Sequence, residues 1–162
     1  MTAIILNGTS SSGKTSIAKS LQKQSKTPVL HASLDTFVDM FDWPSIEESD
    51  RRECHALGIS NFHKCLPNLA ANRFNLVVDH VFEKMEWHEA CFRALEGRRI
   101  FFVGVHCSLA ILEERERQRG DRRIGLARGQ FEKVHENKNY DLLVDTSLIT
   151  PDECASKILD QI

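Results

Sequence analysis

The chain has 162 residues, and its 21 Lys+Arg against 23 Asp+Glu leave a formal net charge of −2. That length suits one domain, 1–162, with a core that needs neither disulfides nor structural metal. The near-neutral balance gives no global electrostatic reason to bind nucleic acid or an anionic membrane surface. No apolar run approaches the ~20 residues of a membrane span, and the five cysteines are scattered without paired spacing, as expected of reduced thiols in a cytoplasmic protein.

Short apolar runs alternate with amphipathic stretches, the pattern of βαβ units. Residues 3–6 predict a buried strand closed by Gly8, and 16–24 a helix with Ile17, Ala18 and Leu21 on one face. Residues 29–34 predict a second strand ending at Asp35. From 36 to 73 the pattern is weakest. Phe37, Val38, Met40, Phe41 and Trp43 suggest a short helix broken by Pro44, and 59–71 a helix that Pro67 should kink or split. A third strand at 75–79, a helix at 86–95 stopped by Gly97, a fourth strand at 100–105 and a helix from the cap Ser108 to about Arg119 follow. The polar stretch 119–130 carries Gly120, Gly125 and Gly129 and reads as a mobile basic loop before a helix near 131–136. Residues 142–145 predict a fifth strand, and Thr150-Pro151 opens a terminal helix. The expected architecture is α/β, three layers around a five-stranded parallel sheet.

Gly8-Thr9-Ser10-Ser11-Ser12-Gly13-Lys14-Thr15 fits G-x-x-x-x-G-K-[ST] at every position. It falls between an apolar strand and an amphipathic helix, as its mechanism requires. The glycines let the backbone turn its N–H groups around phosphate oxygens, and the following helix adds its positive N-terminus. Lys14 would neutralise β- and γ-phosphate charge and Thr15 would ligate Mg²⁺. The bland alternative is a Gly/Ser-rich turn with a solvated lysine. A nucleoside triphosphate is the expected ligand. Asp79, closing the third strand, is placed to hold the hydrated metal, although an aspartate there also suits a helix cap.

Asn137-Lys138-Asn139-Tyr140 comes near the guanine-reading Asn-Lys-x-Asp, but Tyr140 stands where the carboxylate is needed and Asp141 is one residue late. A GTPase switch is disfavoured on that register, and a motor ATPase usually needs more chain. A small-molecule kinase needs a phosphate loop, an acceptor-side carboxylate and a basic lid. Asp35 lies on the rim where open α/β sheets bind ligands. A free Asp, with a pKa near ~3.9, is a weak base at neutral pH, so orienting the acceptor hydroxyl would be much of its work in a loose phosphoryl transfer. Capping the helix near Thr36 is the alternative, and both can hold. Arg117, Arg119, Arg122, Arg123 and Arg128, with only Asp121 against them in the loop, suit a lid that stabilises charge on the transferring group and excludes water. A solvated face is the other reading.

Together these stretches resemble the chloramphenicol phosphotransferase family, ATP-dependent phosphate-loop kinases that phosphorylate an antibiotic hydroxyl. The resemblance is carried by residues 4–15, Leu34-Asp-Thr-Phe37, Val77-Val-Asp-His-Val-Phe82 and Phe102-Val-Gly-Val-His-Cys107. It continues through Glu114-Arg-Glu-Arg-Gln-Arg-Gly-Asp-Arg122, Gly125, Ala127, Gln130, Val134-His135 and Tyr140-Asp141 to Val144-Asp-Thr-Ser147. It implies a P-loop NTPase fold of the small-kinase type, with a basic lid at about 119–130 and an acceptor-side region at about 36–73. It also implies ATP with Mg²⁺, a small-molecule hydroxyl acceptor, and a monomer or homodimer. By position, the acceptor-activating aspartate falls on Asp35, the phosphate-loop lysine on Lys14 and the lid arginines on Arg119 and Arg122; Arg123 and Arg128 fall outside the match. Residues 42–73 match poorly and look shorter than the family's equivalent, so nucleotide chemistry carries over further than substrate identity. A nucleoside, nucleotide or other metabolite kinase of this fold, or a non-catalytic nucleotide-binding regulator, stays open. Phe37, Phe41 and Trp43 could line an aromatic pocket there, with core packing the alternative for Phe37. His63-Lys-Cys65, His88-Glu-Ala-Cys91 and His106-Cys107 lack structural zinc spacing, and His135 has either a packing or a substrate-contact role.

Overall fold

The computed structural model describes residues 1–120 and 124–162. Arg122 and Arg123, expected in the lid, lie outside the described residues. Five strands form one parallel sheet: β1 (Thr2–Asn7), β2 (Val29–Ser33), β3 (Asn75–His80), β4 (Arg99–His106) and β5 (Leu142–Asp145), in the spatial order β2-β3-β1-β4-β5. The unbroken apolar runs have the reason usual for parallel strands, which are covered on both faces. Along β1, Ala3 and Ile5 enter a core with Ile59, Phe62, Leu66, Cys91 and Leu95. Ile4 and Leu6 enter the opposite core with Ile17, Leu21, Ala155 and Ile158. Helices α1 (Lys14–Gln24) and α7 (Pro151–Leu159) therefore close one face, and α3 (Glu48–Leu69) and α4 (Met85–Ala94) the other. Three layers follow from the pleat alone.

Between β2 and α3 the chain makes a short helix α2 (Leu34–Val38) and one 3₁₀ turn at Trp43–Ser45 with Pro44 inside it. Strand β2 ends at Ser33, so Asp35 sits in the first turn of α2 rather than on the strand. Helix α3 begins at Glu48, well ahead of the expected start, because its first half is polar and its buried side chains run only from Gly58 to Leu66. Periodicity is blind to a helical segment with no buried stripe. Pro67 falls in the last turn of α3, where the lost N–H removes one bond and leaves the helix unsplit to Leu69.

After α5 (Leu109–Arg119) comes α6 (Leu126–Gln130); residues 131–137 make successive turns instead of the expected helix. The reason is tertiary. Buried Glu116 of α5 accepts the backbone N–H groups of Gly125 at 2.6 Å and Ala127 at 3.0 Å, capping α6 from outside its own sequence. The terminal helix, by contrast, has the local capping box its sequence announces, with Thr150 and Glu153 bonded reciprocally.

Gly8 closes β1 where no side chain fits. A Cβ there would stand 2.4 Å from the Val105 carbonyl oxygen and 2.8 Å from Ser12 Oγ. Gly8→Ala is therefore expected to destabilise the fold by about 1–3 kcal/mol through forced backbone movement. A urea-unfolding midpoint equal to wild type would refute that.

Candidate active site

The loop between β1 and α1 is bent by two left-handed residues, Ser11 at φ 62° and Gly13 at φ 94°. Gly13 tolerates this conformation because it has no Cβ. Lys14, 6% exposed, folds back over the loop, and its Nζ donates to the carbonyl oxygens of Gly8 at 3.0 Å and Thr9 at 2.7 Å. The Thr15 hydroxyl donates to Asp79 Oδ2 at 2.7 Å, and Lys14 Nζ lies 4.0 Å from Asp79 Oδ1. Strand register sets Asp79 beside the last residues of β1 before the loop, since Leu6, one residue from the end of β1, pairs with Asp79 on β3. Burial works against the charge of Asp79, but the adjoining His31 imidazole, the Lys14 ammonium and the Thr15 hydroxyl together hold its carboxyl below the usual range. His31 Nε2 stands 3.6 Å from Asp79 Oδ2, an electrostatic neighbour beyond hydrogen-bond length. A hydroxyl and a buried ionised carboxylate converging on one point are hard oxygen donors, and they fit Mg²⁺.

The loop is also gripped from behind, by residues to which the sequence assigned no role. Arg115 of α5 donates through Nη1 to Thr146 Oγ1 at 3.0 Å and the Ser11 carbonyl at 3.4 Å, and through Nη2 to the Thr146 carbonyl at 3.0 Å. The Thr146 hydroxyl donates to the Ser12 carbonyl at 2.7 Å. These bonds fix the Ser11 and Ser12 carbonyls to α5 and to the segment just after β5. On the opposite side Ser10 N–H donates to Gln130 Oε1 at 2.7 Å. Arg115, Thr146 and Gln130 all lie in stretches that carry the family resemblance, which was the available signal.

One cleft of about 530 Å³ opens beside this loop. Lys14, Thr15 and Asp79 line it, together with Ser10, Ser11 and Gly13; Gly8, Thr9 and Ser12 complete the loop without lining the cleft. Asp35, Val38, His55, Glu83 and Trp87 line the same cleft, and Arg119 reaches it from the last turn of α5. The structure thus brings Lys14, Thr15, Asp79, Asp35 and Arg119 around one volume.

Other expected members are elsewhere. Arg117 pairs with Glu114 at 2.6 Å and Arg128 with Glu113 at 2.6 Å, so these two arginines have α5 carboxylates against them; Asp121 lies outside the described residues. Phe37 packs edge-on against Phe62 at 5.3 Å in the core, and Phe41 lies against Trp43 at 5.8 Å, outside the cleft wall. His135 stacks on His106 at 3.9 Å, and its Nδ1 is 2.8 Å from the Tyr140 hydroxyl. That hydroxyl accepts from Asn7 Nδ2 at 2.7 Å, so it donates to His135 and fixes the ring as a neutral acceptor. Asp141 Oδ2 accepts the Phe102 backbone N–H at 2.7 Å, which gives the near-miss guanine motif a structural use.

Beneath the cleft, His80 and His63 stack with centroids 5.1 Å apart and Nε2 atoms 3.0 Å apart. Burial, then the neighbouring His63, pushes His80 down to about 3, and burial lowers His63 too. Both rings are neutral in the folded state, whereas an unfolded histidine takes up a proton near pH ~6.5. Stability is therefore fully present above that pH and declines as pH falls toward the folded value, with His80 alone contributing about 2 kcal/mol of loss by pH 5. Thermal unfolding between pH 7.5 and pH 5 should fall steeply in wild type and less so in a His63→Leu/His80→Phe variant. Identical slopes would refute the assignment.

A family model described as chloramphenicol phosphotransferase-like protein matches residues 1–162. A Mycobacterium tuberculosis protein named as a proposed O-phosphotransferase is 29% identical over 178 residues, covering 96% of this chain and 79% of that protein. Among solved structures, the tunicamycin resistance protein of Deinococcus radiodurans superposes with a TM-score of 0.73 at 18% identity, covering 98% of this chain and 94% of that one. The Mycobacterium tuberculosis APS kinase, solved with AMPPNP and APS, gives 0.71 at 19% identity over 98% and 95%. Shikimate kinase from Acinetobacter baumannii, solved with shikimate, gives 0.68 at 13% over 98% and 91%. The fold is that of the P-loop kinases, and with its full length matched the chain belongs to the chloramphenicol phosphotransferase-like family.

Proposed function

We propose that this protein is an ATP-dependent kinase that transfers the γ-phosphoryl group to a hydroxyl of a small molecule in the cytoplasm. The observation that carries the proposal is the single cleft shared by a phosphate loop and an acceptor-side carboxylate, Asp35. In this reading the loop amides of Ser11, Gly13, Lys14 and Thr15 and the positive end of α1 hold the β- and γ-phosphates, while the Ser10 amide stays on Gln130. Lys14 moves its ammonium from the Gly8 and Thr9 carbonyls to phosphate oxygens. Thr15 and Asp79 hold Mg²⁺, which supplies charge neutralisation on the phosphates when bound. Asp35 orients the acceptor hydroxyl and takes its proton late in the transfer. Arg119 stabilises charge on the transferring group; Arg122 is assigned the same task on the resemblance alone.

In this reading Val38, His55 and Trp87 wall the acceptor's part of the cleft, which suits an apolar or ring-bearing molecule that presents a hydroxyl toward Asp35. An antibiotic is one such molecule, and a cellular metabolite another. A panel of hydroxylated small molecules incubated with MgATP should give a phosphorylated product by mass spectrometry, with acceptor-stimulated release of ADP. ATP binding without such release from any acceptor of a broad panel would overturn the proposal in favour of a nucleotide-binding regulator.

A further inference from the structure

Gln130 stands where three separately encoded segments meet, and the phosphate-loop chemistry makes no use of it. It ends α6 and is 5% exposed. Its Oε1 accepts the Ser10 backbone N–H at 2.7 Å, and its Nε2 donates to Glu83 Oε1 at 2.6 Å. The amide cannot be turned round, because an N–H needs an acceptor and a carboxylate needs a donor. Ser10 belongs to the first half of the phosphate loop. Glu83 follows β3, four residues after Asp79, and lines the cleft.

Helix α6 is itself held firmly. Glu116 fixes its first turn to α5, the helix that carries Arg119. Just beyond it, the Val134 carbonyl accepts from Asn7 Nδ2 at 2.8 Å, which ties the segment to the end of β1. A short helix pinned at both sides thus presents one amide side chain that spans the gap between the phosphate loop and Glu83.

The geometry points to Gln130 as a positioning residue for phosphoryl transfer, one that sets the Ser10 amide and the Glu83 carboxylate at a fixed separation so that phosphate and acceptor meet in register. The inference rests on the kinase reading of the cleft. Gln130 touches neither reacting group. Its effect comes through alignment, and a displacement of about 1 Å at a reacting centre can cost ~100-fold in rate. The bond to Glu83 is charge-assisted and correspondingly strong.

The test exchanges donor and acceptor. Gln130→Glu keeps an oxygen for Ser10 but sets carboxylate against carboxylate. Adding Glu83→Gln reverses the second bond and restores both. With MgATP and an acceptor active in the panel, kcat of Gln130→Glu should fall at least ~10-fold with KM for ATP changed less than about threefold. The double variant should return to within about threefold of Glu83→Gln alone. Wild-type kcat in Gln130→Glu, a loss confined to KM, or a double variant no better than Gln130→Glu would each overturn the inference. Amide hydrogen exchange over residues 8–12 and 126–130 reads the same bonds without any acceptor. Exchange should quicken in Gln130→Glu and slow again in the double variant, and failure to slow would overturn the bridge. A panel that yields no product while exchange is rescued would instead refute the kinase reading.

Discussion

Asp35→Asn is expected to lower turnover at least ~100-fold while changing MgATP affinity by less than about threefold. The asparagine keeps the size and hydrogen-bonding reach of the side chain and remains compatible with the first turn of α2, so the fold should be retained. What it loses is the negative charge that, in the proposed mechanism, would draw the acceptor hydroxyl into line and receive its proton. Asp35 lines the cleft without belonging to the phosphate loop or to the Thr15–Asp79 pair, so in the proposed mechanism the two effects should separate. Acceptor-dependent ADP release and a fluorescent-nucleotide titration measure them. Full phosphotransfer by Asp35→Asn would show that the carboxylate is not needed.

Lys14→Ala should be as severe in turnover, at least ~100-fold, but should weaken nucleotide binding as well. The side chain is buried and holds two loop carbonyls, so its removal also loosens the phosphate loop. A second consequence is electrostatic. Lys14 is one of the groups that hold the Asp79 carboxyl low against its burial, so in Lys14→Ala the Asp79 pKa should rise. Dependence on Mg²⁺ should then shift to higher metal concentration at acidic pH. Undiminished turnover, with circular dichroism showing an intact fold, would remove Lys14 from the mechanism.

These two residues were singled out without coordinates because their signals are local, and the structure places both on the wall of one cleft. The phosphate loop is eight consecutive residues, Asp79 ends an apolar run read as a strand and Asp35 follows another. The five strands were likewise evident, since burial on both faces leaves an unbroken apolar stretch. Helix α3 was only half visible, because the polar turns before Gly58 carry no stripe. Helix α6 was misplaced toward 131–136, because its cap is Glu116, on another helix. The partners of two arginines came from α5: Glu114 pairs with Arg117 three residues on along the same helix, whereas Glu113 meets Arg128 only through the tertiary fold. Phe37, Phe41 and Trp43 had the composition of a pocket wall; the main cleft instead carries the rings of His55 and Trp87, far apart in sequence, and Phe37 lines a smaller pocket beside β2 and α3.

By itself the sequence determined that this is a parallel α/β protein carrying a phosphate-loop motif, since the loop and the strand periodicity are properties of adjacent residues. Near-neutral net charge concealed a cationic end of the cleft, where Lys14, Arg115 and Arg119 gather. The tertiary structure alone decided which side chains surround the reacting space. Thr15 reaches Asp79 across 64 positions, Ser10 reaches Gln130 across 120 and Thr146 reaches Ser12 across 134. Parallel strands return the chain to the same sheet edge after every crossover, so residues distant in sequence share one rim. No short-range pattern encodes that convergence.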